Sequence, residues 1–256
     1  MALTDKLTAI ADAIRSKTGK TDGLTLEQMP GEIAGIQTGG DTSQEDGLVT
    51  RTITSYSNER VTTVGDAAFT AYYALEHVSF PNVVTIGNDS FRDSGLKTFY
   101  FPKLASISSY AFRNIKVKQI TAADLPSWDG TIRDYGFATN STMEYFQHTF
   151  TKSLGSMAFM NSSGLKKVDL CTHGLYSACF SGCSKLATLI LRRADAICEL
   201  GNTNVLSNTP IIKGTGFVYT PRALIEEYRQ ATNWSSLLPE QFRAIEDYPE
   251  ICEVGV

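Results

Sequence analysis

Six segments of the chain share one arrangement of apolar and polar positions: an aliphatic residue, three to four mostly small or polar residues, then a phenylalanine. They run Val64–Phe69, Ile86–Phe91, Ile107–Phe112, Ile132–Phe137, Leu154–Phe159 and Leu175–Phe180, so the phenylalanines recur at steps of 22, 21, 25, 22 and 21 residues. A degenerate seventh copy is expected to end at Val205-Leu206. Five or six residues after each phenylalanine comes an apolar-x-x-apolar pattern. Leu75-Glu76-His77-Val78-Ser79-Phe80-Pro81 and Leu96-Lys97-Thr98-Phe99-Tyr100-Phe101-Pro102 are clear copies, as are Leu165–Leu170 and Leu186–Leu191. Weaker versions lie at Val117–Ile120 and Met143–Phe146. Period-two alternation predicts a short half-buried strand in each copy.

A unit of some 22 residues cannot bury its own apolar face. Stacking the copies makes one continuous core with parallel strands along one side, which predicts a solenoid. The residue before each phenylalanine is small (Ala68, Ser90, Ala111, Gly136, Ala158, Cys179), as expected where neighbouring coils approach closely.

The phrase Ile86-Gly87-x-x-Ser90-Phe91, followed by Leu96-x-x-Phe99-x-Phe101-Pro102, resembles the BspA-type leucine-rich repeat. The resemblance covers roughly residues 60 to 212. It implies an α+β repeat solenoid, right-handed, with short parallel strands, used for adhesion and recognition and bringing no catalytic residues. Residues 113–150 depart from the pattern: the proline is missing, and Trp128 and Gly130 fall in a longer connection, so a bulge or lateral loop is expected there.

Flanking segments extend this plan. Leu3, Leu7, Ile10 and Ile14 form one stripe of an amphipathic helix over residues 2–18. Thr25 and Gln28 suggest a capping box for a second short helix through Met29, Ile33 and Ile36, with Pro30 disturbing its start. Residues 1–36 therefore read as a helical attachment or oligomerisation segment, 37–47 as a linker, 48–214 as about seven solenoid coils and 215–256 as a cap. A first capping strand is expected over 48–56. In the cap, Phe217-Val218-Tyr219 reads as a strand. Thr220-Pro221 reads as the start of a helix through Tyr228, Trp234 as the plug, and 236–246 as a second helix. The stretch Leu7–Gly19 with Leu24–Pro30 is similar to N-terminal segments of certain bacteriophage tail and prophage structural proteins, implying other tail proteins, or a second copy of the chain, as partners.

Charge and chemistry narrow the function. With 23 Lys+Arg against 27 Asp+Glu, the net charge is −4, which argues against a nucleic-acid partner. No apolar run is long enough to imply membrane insertion, and the N-terminus does not read as a secretory signal. Five cysteines without a CxxC pair suggest neither a disulfide framework nor a metal site. His77, His148 and His173 belong to no catalytic motif, so no enzyme activity and no cofactor are expected.

What remains is the outward face of the strands. Aligning the copies stacks Glu76 and His77 beside Lys97 and Tyr100, then Lys118 and Gln119, then Glu144, Tyr145 and Gln147, then Lys166, Lys167 and Asp169. Mixed charge with tyrosines suits a host-surface protein or glycan, with Tyr100 and Tyr145 as anchors. The expected role is a recognition protein of a phage or prophage tail, located in the virion after cytoplasmic assembly. The alternative is a bacterial surface or secreted adhesin of the same repeat type.

Overall fold

The computed structural model describes residues 50–252 apart from Asp129 and 149–152, together with Asp12 and Leu48. The chain divides into two units, Met1–Val49 and Thr50–Val256. The stripe Leu3, Leu7, Ile10 and Ile14, the short helix through Ile33 and the linker 37–47 lie outside the described residues.

Each coil of the second unit contributes two short strands. They are β1 (Ser55–Ser57) and β2 (Thr63–Val64), β3 (His77–Ser79) and β4 (Thr85–Ile86), β5 (Thr98–Tyr100) and β6 (Ser106–Ile107), then β7 (Gln119–Ile120) and β8 (Thr131–Ile132). The series continues with β9 (Tyr145–His148) and β10 (Ser153–Leu154), β11 (Lys167–Leu170) and β12 (Gly174–Leu175), β13 (Thr188–Leu191) and β14 (Glu199–Leu200). A final pair, β15 (Phe217–Thr220) and β16 (Phe242–Ala244), closes the array. Every pairing among them is parallel, coil to next coil. This is the expected leucine-rich-repeat solenoid, with helix a minor ingredient.

The core follows from the repeat. Phe69, Phe91, Phe112, Phe137, Phe159 and Phe180 form a column of stacked rings with centroids 5.2 to 5.6 Å apart. Both Phe91 and Phe159 are fully buried. Leu206 continues the column in the seventh coil, where the Phe180 amide bonds the Val205 carbonyl as Phe159 bonds Cys179. Ser90, Ala111, Ala158 and Cys179 are buried in the small-residue slot, whereas Ala68, at the first coil, is exposed.

The turn carrying each phenylalanine has a further regularity. Two residues sit in the left-handed region, one two positions before the ring and one two positions after. The pairs are Ala67 and Ala71, Asp89 and Asp93, Tyr110 and Asn114, Tyr135 and Thr139, Met157 and Asn161, Ala178 and Gly182. A residue with a Cβ is strained there by roughly 1 kcal/mol or more. The amides of these residues other than Ala178 bond the next coil, as Ala67 does to Asn88 O at 2.8 Å and Ala71 to Arg92 O at 2.9 Å. Interlocking of neighbouring coils therefore offsets local strain. Buried Asn140 adds a polar clamp: its Oδ1 accepts from the Ile115 amide at 2.8 Å, and its Nδ2 donates to the Phe112 and Phe137 carbonyls.

At the ends the structure corrects three expectations. Leu48 and Thr50 are helical, Arg51 turns the chain with φ 58°, and the strand expected over 48–56 begins only at Ser55. Thr220 is the last residue of β15 and makes no cap bond. Instead Pro221 leads a 3-10 turn, Arg222–Leu224, into the six-residue helix α1 (Ile225–Gln230). The helix expected near 236–246 is absent. Pro239 lacks the amide a continuing helix needs, and Phe242–Ala244 instead pairs with β15 as β16, burying Phe242 and Ala244 on alternate positions. Trp234 does plug the cap: it is fully buried and its Nε1 donates to Cys198 O at 2.6 Å.

Candidate functional site

The odd-numbered strands lay side by side the residues expected to share the outer face. His77 is level with Thr98 and Ser79 with Tyr100; Gln119, Tyr145 and Lys167 are level with one another, as are Gln147 and Asp169. Polar contacts tie neighbouring coils along this row. Lys97 Nζ pairs with Glu76 at 2.6 Å, His77 Nδ1 meets Thr98 Oγ1 at 2.7 Å, and Lys166 Nζ donates to Glu144 at 2.8 Å. The lysine hydrogen bonds hold both the Glu76 and the Glu144 carboxyls below their usual range.

Exposure divides the row. His77, Lys97, Thr98, Lys118, Gln119, Glu144 and Lys166 are exposed, Glu76 is half-buried, and Tyr100 stands 57% exposed. Tyr145, Lys167 and Asp169 are buried, contrary to expectation, and Gln147 is half-buried. Tyr145 and Lys167 occupy outward register positions, but the chain end folds over them. Lys167 Nζ lies 4.9 Å from the Tyr145 ring centre and donates to Ile251 O at 3.0 Å, within the last turn, Pro249–Cys252. Asp169 is taken up by the next coil, where the Arg192 guanidinium binds both its oxygens at 2.6 Å. Beyond them Arg243 stacks over Phe217 at 3.3 Å, and Tyr248 packs edge-on against Tyr219. Tyr145 is thus a covered residue, and only Tyr100 of the two expected anchors is available.

The open part of the face contains a break. The strands divide into a three-stranded sheet, β1-β3-β5, and a six-stranded one running β7-β9-β11-β13-β15-β16, with no register between β5 and β7. Asp124 explains the short β7, because its carboxylate accepts from the Thr121 amide at 2.7 Å and from Thr121 Oγ1 at 2.8 Å, ending the strand at Ile120. A single backbone bond, Lys116 N–H to Leu96 O at 2.8 Å, bridges the strand-face side of this junction among the described residues. The break opens a groove of about 630 Å³ lined by Phe99, Val117, Thr98, Gln119 and Thr142, with Lys97, Lys116, Lys118 and Asp124 around it. The sequence signals this irregularity in the 25-residue step between Phe112 and Phe137, the missing proline and the longer connection around Trp128 and Gly130. The expected lateral excursion is present as a turn over 121–127, but Trp128 itself is buried, 4.7 Å from the His148 ring.

Other chemistry is sparse among the described residues. No group of three or more His, Cys, Asp or Glu side chains could hold a metal ion there, and no helix is long and apolar enough to cross a membrane. Cys179, Cys183 and Cys198 are buried free thiols; burial pushes all three up, Cys183 to about 12.

A BspA type leucine rich repeat region matches in six copies over residues 62–187 and 118–213. No curated protein matches the chain. Among solved structures, a leucine-rich repeat protein of T. pallidum is 18% identical, with 60% of this chain and 76% of that one aligned at a TM-score of 0.32. One from Bacteroides ovatus is 19% identical over 76% of this chain and 66% of its own, at 0.39. Another from Eubacterium ventriosum is 14% identical over 58% and 72%, at 0.25. Since the matched repeats span residues 62–213, more than half the chain, the protein belongs to the BspA type leucine-rich repeat family.

Proposed function

We propose that this protein is a non-enzymatic recognition and adhesion protein that binds a host-surface protein or glycan through the open strand face between β3 and β9. One observation carries the reading: Tyr100 stands exposed beside Ser79, in a row of polar side chains that β3 and β5 hold in register at His77 and Thr98, with exposed Lys118 and Gln119 across the break. A rigid amphipathic ring in such a row supplies contact area at low entropic cost. Burial of Tyr145, Lys167 and Asp169 confines the contact surface to the first five coils.

The fluorescently labelled protein, applied to a panel of bacterial cells, tests this. Changing Tyr100 to Ala should reduce cell binding about tenfold, as for a central aromatic anchor, with little change in melting temperature. Undiminished binding would refute the assignment of the face.

For its location we propose a phage or prophage tail, where the N-terminal segment would attach it to other tail proteins or to a second copy. The similarity of Leu7–Gly19 to tail-protein segments supports this. The second reading, a bacterial cell-surface or secreted adhesin, is supported by membership of the repeat family. Immunogold labelling of induced cultures separates them: gold on particles supports the first, gold on cell envelopes the second.

A further inference from the structure

We propose that the groove between β5 and β7 receives an extended acidic peptide segment of a partner protein, which adds a strand in the gap. The inference rests on the recognition reading above and names the partner's chemistry.

Three observations lead there. The first is the backbone. Among the described residues β5 pairs only with β3, and β7 only with β9, so beyond the Lys116–Leu96 bond that precedes both strands their other edges border a groove. Unpaired strand edges are templates for an incoming strand, whose main chain supplies affinity while alternate side chains supply specificity. The second is size. A four-residue strand spans about 13 Å and fills roughly 600 Å³ at ordinary strand and sheet spacings. The groove measures about 630 Å³. One such segment would make the three-stranded and six-stranded sheets continuous.

The third observation is charge. Three lysines border the groove, and the carboxylates nearby are already engaged. Glu76 holds Lys97, Glu144 is bonded to Lys166, and Asp124 is occupied by Thr121. Lys116 reaches only Asn114 Oδ1, at 3.4 Å, and Lys118 makes no ion pair within 4 Å among the described residues. The floor is Phe99 and Val117. A strand alternating apolar and acidic residues satisfies both: apolar side chains meet the two floor residues, and carboxylates on the opposite face meet Lys116 and Lys118.

The probe is a fluorescein-labelled octapeptide of alternating Asp and Val, measured by fluorescence anisotropy on the full-length protein. Three comparison ligands are a Lys/Val octapeptide, the Asp/Val octapeptide N-methylated at alternate residues, and a heparin-derived hexasaccharide. The Asp/Val peptide should bind. The Lys/Val and N-methylated peptides should each bind at least about tenfold more weakly. The double change Lys116→Gln with Lys118→Gln should weaken the Asp/Val peptide by about tenfold and leave the melting temperature in place. Amides of β5 or β7 should gain hydrogen-exchange protection on binding. Equal binding of the N-methylated peptide overturns strand addition, and tighter binding of the hexasaccharide with no peptide binding identifies an anionic glycan site instead. Cell binding by the Tyr100→Ala protein is read in parallel. Loss there with no peptide binding rejects only the groove inference, whereas peptide binding with undiminished cell binding rejects only the strand-face reading.

Discussion

Lys167 Nζ donates to the carbonyl of Ile251 at 3.0 Å, joining the sixth coil to the last turn across 84 positions of sequence. That contact covers the late part of the strand face with the chain's own terminus. Truncation before Pro249 should therefore leave a folded solenoid in which Lys167 has become accessible. Amine acetylation followed by peptide mass spectrometry reads this directly. Lys167 should resist modification in the full chain and be modified in the truncated one, while exposed Lys166 reacts in both. Equal protection of Lys167 in the truncated chain would show that the terminus is not its cover.

The phenylalanine column should dominate stability. Replacing Phe91 or Phe159 with Ala removes a fully buried ring stacked on both neighbours and should cost about 3–5 kcal/mol. Denaturant unfolding measures it. A loss below about 1 kcal/mol would contradict the assigned packing.

The left-handed turn positions predict the opposite sign. Ala67 and Ala71 have φ of 56° and 59°. Glycine carries no Cβ penalty in that region, so Ala67→Gly or Ala71→Gly should stabilise the fold by about 0.5–1 kcal/mol, although glycine usually destabilises. A lower melting temperature in both variants would contradict this.

Tyr176 predicts an alkaline dependence. Its hydroxyl donates to Glu199 on the next coil, and that bond first, with burial next, raises the phenol to about 12 from an ordinary 10.0. Because the folded value lies above the unfolded one, the contribution is complete below pH 10.0 and is lost as pH rises through about 12. NMR titration of labelled tyrosine, assigned with Tyr176→Phe, should show a midpoint near 12 that falls in Glu199→Ala. An unchanged midpoint in that variant would remove Glu199 as the cause.

The solenoid was legible because its signal is repeated. Phe91, Ile107 and Leu165 each mark a slot that several other copies mark as well, so register survives weak local evidence. Face alignment followed from the same phase; the pairing of His77 with Thr98 and Ser79 with Tyr100 agrees with it, whereas the step from β5 to β7 has no register. Exposure was not legible. Lys167 is covered by Ile251, 84 positions on, a separation that no period encodes, and Asp169 by Arg192, one coil on at 23 positions, a side-chain pairing that strand alternation does not reveal. The strand Phe242–Ala244 was missed because Leu237, Leu238, Phe242 and Ile245 also fit a helical spacing. Pairing with β15 decided between them. The left-handed pairs left only a partial trace, in Asp93, Asn114, Asn161 and Gly182, with Ala71 and Thr139 obscuring it.

The missing ladder between β5 and β7 also bears on how the molecule carries force. On the second sheet the same two coils share a single register pair, Ile107 with Ile132, whereas the turns remain joined by three amide bonds from Tyr110, Phe112 and Asn114 and by the Phe112–Phe137 stack. Tension drawn along the array meets unequal resistance across this cross-section. The coils should swing apart about the phenylalanine turns, as a door does about its jamb, before ladders elsewhere part. Under drag the molecule would then open beside Tyr100, with the coils on either side still wound.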